Sequence, residues 1–168
     1  MVRILGIDPG LRFTGWGIID ACDNRLTYVA SGVLSTNSDH FVPQRLCVLA
    51  SGLEKLIGLY QPEEVAVEET YVNRNGSATL KLGYARGVAL LVPAQKYINV
   101  NEYGAKTVKR AVVGTGAATK DQVSVMIQRL LPGAKIPRAD AADALAIAIC
   151  HAHHRISQIR VNKGTIMA

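Results

Sequence analysis

Hydrophobic residues form short unbroken runs near the N-terminus and recur at helical spacing further on. Ile4-Leu5-Gly6-Ile7 is an apolar run that predicts a strand buried on both faces. Pro9-Gly10 then imposes a turn. Two further strands are expected over 14–20 and 26–34, joined by polar Asp23-Asn24-Arg25. Three strands with short links predict an antiparallel meander. From Pro43 to Tyr60, Leu46, Leu49, Ala50, Leu53, Leu56 and Ile57 mark one amphipathic helix, and Pro62 ends it. Glu64-Val65-Ala66-Val67-Glu68 reads as a fourth strand, expected parallel to the first because a crossover helix precedes it. A helix from about Ser77 into the nineties should be kinked or split by Pro93, which lacks a donor and clashes with the previous turn. A short strand over 98–102 is followed only by helices, over 103–113, 119–131 and from after Pro137 to about His154. Thr119 and Gln122 stand in capping-box spacing, and Pro132-Gly133 closes that helix. The expectation is one α/β domain over 1–156, a five-stranded mixed sheet flanked by helices, and a loose tail over 157–168.

The acids that interrupt apolar runs stand at element ends. Asp8 lies where the first strand runs out, and Glu68 ends the fourth in the same way. Parallel neighbours would bring both to one edge of the sheet, where open α/β folds bind ligands. Asp140 and Asp143, in R-A-D-A-A-D-A-L-A, are three apart on one face of an alanine-rich helix, near its positive end. Taken singly, Asp8 would cap the Pro-Gly turn, Glu68 would pair with an arginine, and the aspartates would cap a helix. Taken together, four converging carboxylates repel each other and take up protons unless cations neutralise them. Hard oxygen ligands left partly open suit Mg²⁺ or Mn²⁺. Two such ions about 4 Å apart form the device for in-line phosphodiester hydrolysis.

Charge adds a partner class. The chain has 168 residues, 49% of them hydrophobic and 19% charged, the profile of a soluble domain with room for a core. A net charge of +6 and a pI near 9.4 suit a polyanion. Cys22, Cys47 and Cys150 are odd in number and lack C-x-x-C spacing, which argues for a reducing compartment. No apolar run has the length of a membrane span, and Arg3 and Asp8 leave no room for a signal peptide between them. A cytoplasmic location without membrane contact is expected.

I-L-G-I-D-P-G, A-V-E-E, L-K-L-G-Y-A-R-G, V-V-G-T-G-A-A-T-K and A-D-A-A-D-A-L-A, in this order and at these separations, closely resemble the RuvC family of Holliday-junction resolvases. The resemblance covers nearly the whole chain up to about His154. It implies an RNase H-like fold and a homodimer that nicks two opposed strands of a four-way DNA junction in recombination and repair, leaving 5′-phosphate and 3′-hydroxyl ends. It implies Asp8, Glu68, Asp140 and Asp143 as the metal-binding and catalytic acids, two ions per site, and RuvA and RuvB as branch-migration partners. Where the family often has phenylalanine three residues after the glutamate, near the junction centre, this chain has Tyr71, which keeps a stacking face. Pro93 departs from the uninterrupted helix expected at the dimer interface.

Arg74, Lys81 and Arg86 follow the second acid, and Lys106, Lys109, Arg110 and Lys120 precede the final acid pair. Phosphates need such positive flanks. Tyr71, Arg74, Lys81, Arg86, Lys109 and Lys120 are the candidate DNA-binding residues, and the resemblance adds weight to Lys109 and Lys120. Gly114-Thr115-Gly116 could bring backbone amides to a phosphate. Cys150, His151, His153 and His154 lack a second ligand pair for zinc, and a helix C-terminus favouring cationic histidine is the preferred reading. Three other functions compete: an actin-like sugar kinase sharing G-I-D-P-G, which needs a second lobe; a junction-binding module without catalysis; and a nuclease acting on RNA:DNA hybrids.

Overall fold

In an extended chain alternate side chains face opposite ways, so an apolar strand in mid-sheet needs cover on both sides. The computed structural model describes residues 1–69 and 76–166, with side chains through 155. Its elements are β1 (Val2–Asp8), β2 (Phe13–Cys22), β3 (Arg25–Ser35), α1 (Val42–Tyr60), β4 (Glu64–Glu69), α2 (Gly76–Gln95), β5 (Asn99–Gly104), α3 (Ala105–Val113), α4 (Lys120–Leu130) and α5 (Ala139–Ile166). The five strands form one sheet in the order β3-β2-β1-β4-β5. β1, β2 and β3 pair antiparallel, as a meander should, while β4 runs parallel to β1 and β5 parallel to β4. The sheet is therefore mixed, with β1 at its centre.

Both faces are covered. Leu5, Ile7, Ile18, Val65 and Val67 pack against Leu53, Leu56 and Ile57 of α1 and Ala89 and Val92 of α2. Ile4, Ile19 and Ala66 face the other way, against Val108 and Val112 of α3, Ile127 of α4 and Leu145 and Ile149 of α5. At roughly 25 cal/mol for each Å² of apolar surface buried, these two layers are the main favourable term in the fold. Among the described residues no helix is long and apolar enough to cross a membrane.

α5 is the element pressed hardest against the sheet. A Cβ on Gly6 would stand 2.1 Å from the Ala144 carbonyl oxygen, and one on Gly15 would stand 2.0 Å from that of Asp140. A Cβ on Gly17 would meet the Leu145 side chain at 2.7 Å. Three glycines on β1 and β2 thus let the helix backbone lie directly on the strands. Ala141, Ala144 and Ala148 add no bulk on the helix side, and all three are fully buried.

Three expectations need correction. Pro93 does not split α2, which is a single helix through Gln95. The proline falls in the last turn, so the bond its missing donor removes lies near the helix end and interrupts no continuing helix. Its own carbonyl accepts from the Lys96 and Ile98 amides at 3.0 and 3.1 Å, closing the helix. α5 does not stop near His154 but continues to Ile166, so the histidines are not at its C-terminus. His151 is 5% exposed and bonded on both ring nitrogens, to the Tyr103 hydroxyl and Glu64, each at 2.8 Å. Burial pushes its pKa down, against the pull of Glu64, so a cationic histidine is not favoured there. The capping box at Thr119 is present as expected, with Gln122 N–H donating to Oγ1 at 3.3 Å and the Thr119 N–H to the Gln122 side chain at 2.9 Å.

Candidate active site

Register aligns the first two acids. Ile7 is opposite Val67 in the parallel β1–β4 pair, so Asp8 and Glu68 each stand one residue further along, at the same edge. Neither has a free choice of position, since Ile4, Leu5 and Ile7 before Asp8 and Val65, Ala66 and Val67 before Glu68 are buried. The other two come from the first two turns of α5, which lies close on the strands at Gly6 and Gly15. Asp140 and Asp143 are one helical turn apart and so share the face turned to that edge.

The electrostatics record the convergence. Burial first, and then the charges of Glu68, Asp143 and Asp140, push the Asp8 carboxyl up to about 8. The side-chain interaction between Asp8 and Glu68 raises the first and lowers the second. Burial also raises Glu68 and Asp143, and Lys120 and Lys109 oppose the rise in both. Two lysines therefore act on two of the four acids from α3 and α4. Lys120 Nζ lies 3.7 Å from Asp143 Oδ2, while Arg138 Nε donates to Asp140 Oδ2 at 3.2 Å. Glu68, Lys109, Lys120 and Asp143 line a cleft of about 260 Å³ together with apolar residues that include Val108 and Val123.

Among the described residues no three His, Cys, Asp or Glu side chains close on one point that could hold an ion. The pairs just given draw two of the acids elsewhere, Asp140 to Arg138 and Asp143 to Lys120. The donor set still fits a divalent cation. All four candidates offer hard carboxylate oxygens, and burial with acidic neighbours pushes the Asp8 carboxyl up in a way that a nearby cation would offset.

The other sequence candidates divide. Arg86 Nε donates to Glu102 Oε1 at 2.8 Å, joining α2 to β5, so its charge is already engaged. Lys81 is exposed on α2. Tyr71 and Arg74 lie outside the described residues. Gly114 caps α3 in the left-handed region, its N–H donating to the Arg110 carbonyl at 2.9 Å, so that amide is engaged by the cap. Cys150 and His154 touch at 3.6 Å, and all three cysteines are free. Sequence reading passed over Arg12 and Arg138, whose guanidinium carbons stand 5.3 and 3.9 Å from the centre of the Phe13 ring. Each lies within four positions of a candidate acid, Asp8 or Asp140, and that proximity was the available signal.

Comparison with known proteins agrees with this geometry. A model of the family described as "Crossover junction endodeoxyribonuclease RuvC" matches residues 4–151. The chain is 68% identical over 168 residues to the protein of that name from Gluconacetobacter diazotrophicus, covering 100% of both chains. Among solved structures it is similar to T. thermophilus RuvC in complex with Holliday junction substrate, at 29% identity and a TM-score of 0.88, covering 94% of this chain and 97% of that one. The yeast mitochondrial Holliday junction resolvase shares the fold, with a TM-score of 0.68 at 14% identity over 98% of this chain and 86% of its own. The mixed five-stranded sheet is thus the RNase H-like one anticipated from the sequence. A match over nearly all of the residues that build the sheet, the helices and the acid cluster makes this chain a member of the RuvC family of crossover junction endodeoxyribonucleases.

Proposed function

We propose that the chain resolves four-way DNA junctions by paired symmetric nicks, with Asp8, Glu68, Asp140 and Asp143 holding two divalent cations, Mg²⁺ or Mn²⁺. The observation that carries this reading is the meeting of Asp8 and Glu68, at the end of parallel strands, with Asp140 and Asp143 at the start of the helix packed on those strands, each acid raising the Asp8 carboxyl above its ordinary value. A structural acid would have acquired a basic partner. This one meets only carboxylates, the arrangement of a site built to receive positive charge. Bound ions would lower the pKa of an attacking water and offset charge on the departing oxygen. The chain's own residues do the rest. Asp8 gives up its proton as the site loads. Lys120 and Lys109, which act on the Glu68 and Asp143 charges in the free protein, supply positive charge beside the phosphate. Hydrolysis adds water at phosphorus and leaves a 5′-phosphate and a 3′-hydroxyl.

Two nicks related by symmetry need two such sites, and an isologous dimer supplies them most simply. Leu80, Tyr84 and Leu91 are exposed along α2, at 57%, 42% and 55%. Gly83 and Gly87 lie between them with nothing within 4 Å of an added Cβ. That apolar stripe with small gaps is the surface a second copy would cover. Sedimentation at micromolar concentration should give about twice the chain mass of 18.0 kDa. RuvA and RuvB would be the branch-migration partners. Three free cysteines, two of them exposed, suit the reducing cytoplasm.

A gel comparing four-way junction, linear duplex and RNA:DNA hybrid in Mg²⁺ tests the reading directly. Paired nicks in the junction alone are expected, and preference for the hybrid would replace it with a hybrid-cleaving nuclease. The lysines allow a finer measurement. Lys120→Ala should slow cleavage on the order of a hundredfold and reduce the salt slope of junction binding by about one unit for each protomer bound. Lost cleavage with an unchanged slope would confine Lys120 to the transition state.

A further inference from the structure

Lys109 and Lys120 reach the acids from the β4–β5 side, since α3 follows β5 directly. The opposite side, toward β2, has its own positive group, built from two distant parts of the chain. Arg12 ends the turn after Asp8, and Arg138 ends the loop before α5. Both guanidinium groups lie on the Phe13 ring, with their carbons 5.3 and 3.9 Å from its centre. The turn that carries Arg12 is fixed. Thr14 Oγ1 donates to the Gly10 carbonyl at 2.7 Å, the Thr36 amide donates to the Arg12 carbonyl at 3.0 Å, and Leu11 is buried. With the backbone pinned from both sides, the Arg12 side chain is left exposed to solvent. Among the described residues no carboxylate pairs with it. Arg138 is half exposed and holds Asp140 through Nε, which leaves the rest of its fork of donors available.

We infer that Arg12 and Arg138, stacked on Phe13, form a second phosphate-binding rim of the acid site and contact the DNA backbone on the side opposite Lys109 and Lys120. Two like charges on one aromatic ring repel, and only one of them has an acidic partner. A polyanion lying across the rim relieves that repulsion and makes use of donors that are otherwise only solvated. Arginine suits the role, because its planar fork stacks on a ring and bonds phosphate with the remaining edge. With lysines on one side and arginines on the other, a strand crossing the acids is held on both sides of the phosphate to be cut.

This inference rests on the junction-cleaving reading for its biology but not for its chemistry, and the experiment keeps the two apart. Binding of four-way junction and of linear duplex is measured against salt concentration, with a chelator present to prevent cleavage, for the parent protein and for Arg12→Gln, Arg138→Gln, the double variant and Arg138→Lys. Each single Gln variant should lower the salt slope by about one unit for each protomer bound and the double variant by about two, because about 0.9 counterion is released per phosphate contact. Arg138→Lys should retain most of the slope, and melting temperatures should stay close to the parent. An unchanged slope in both Gln variants overturns the rim. If Arg138→Gln then loses cleavage all the same, Arg138 serves Asp140 alone. Equal affinity of the parent for junction and duplex would sink the junction reading, while the slopes would still decide the rim.

Discussion

Asp8→Asn should lose junction cleavage by on the order of a hundredfold or more and, in the absence of divalent cations, be more stable than the parent above neutral pH. The first effect follows from removing the charge of a proposed metal ligand in the acid cluster. Junction affinity should persist, since it rests on basic residues and shape. The second effect follows from linkage. The folded carboxyl is held at about 8, against an ordinary value of 3.8, so between these pH values the folded state binds more protons than the unfolded one. Stability of the parent therefore falls as pH rises through that window, and the neutral amide is spared the loss. The gap in melting temperature between variant and parent should be smallest near pH 4 and largest above pH 8. Added Mg²⁺ should close it by offsetting the repulsion in the parent. Near-normal cleavage by Asp8→Asn would remove Asp8 from the proposed metal site. A melting gap independent of pH would mean that the acids do not repel as inferred.

Gly6→Ala should be among the most damaging single methyl groups that the described residues could receive. The added Cβ would stand 2.1 Å from the Ala144 carbonyl oxygen and 2.8 Å from the Ala148 amide nitrogen. Both belong to the backbone of α5, which cannot rotate away as a side chain would. The helix must lift from β1, opening the layer that contains Ile4, Leu145 and Ile149. Overpacking of this kind costs typically 1–3 kcal/mol and occasionally more. With helix backbone as the obstacle we expect about 3 kcal/mol, a melting drop of roughly 6–12 °C for a chain of this size. Cleavage should fall even in the folded fraction, because the same helix carries Asp140 and Asp143. Gly58→Ala is the control. It lies within α1 with nothing within 4 Å of an added Cβ, and it should stabilise by about 0.5–1 kcal/mol through helix propensity. A Gly6→Ala protein that melts with the parent would show that α5 can shift on the sheet at little cost.

What was legible in the sequence was local. The apolar run at Ile4–Ile7, the helical spacing between Pro43 and Tyr60, and the Thr119–Gln122 capping box each involve residues a few positions apart. Their periods of two and 3.6 are set by backbone geometry alone. Asp8 and Glu68 can be paired from the chain alone because each ends a strand, and one crossover helix suffices to make those strands parallel. What only the tertiary structure decided depends on residues far apart in the chain. Gly6, Gly15 and Gly17 read as turn or strand glycines until α5 is seen lying on them. Arg86 looked free for DNA until β5 brought Glu102 to it. Pro93 looked like a break because its position in the last turn depends on where β5 begins. His151 looked like a terminal cation until Tyr103 and Glu64, from two different strands, enclosed it. Arg12 and Arg138 are 126 positions apart by number, yet they meet on one ring. A pattern along the chain states which face of an element is apolar. It carries no term for which distant backbone that face will meet, and at this site that meeting decides which charges stand together.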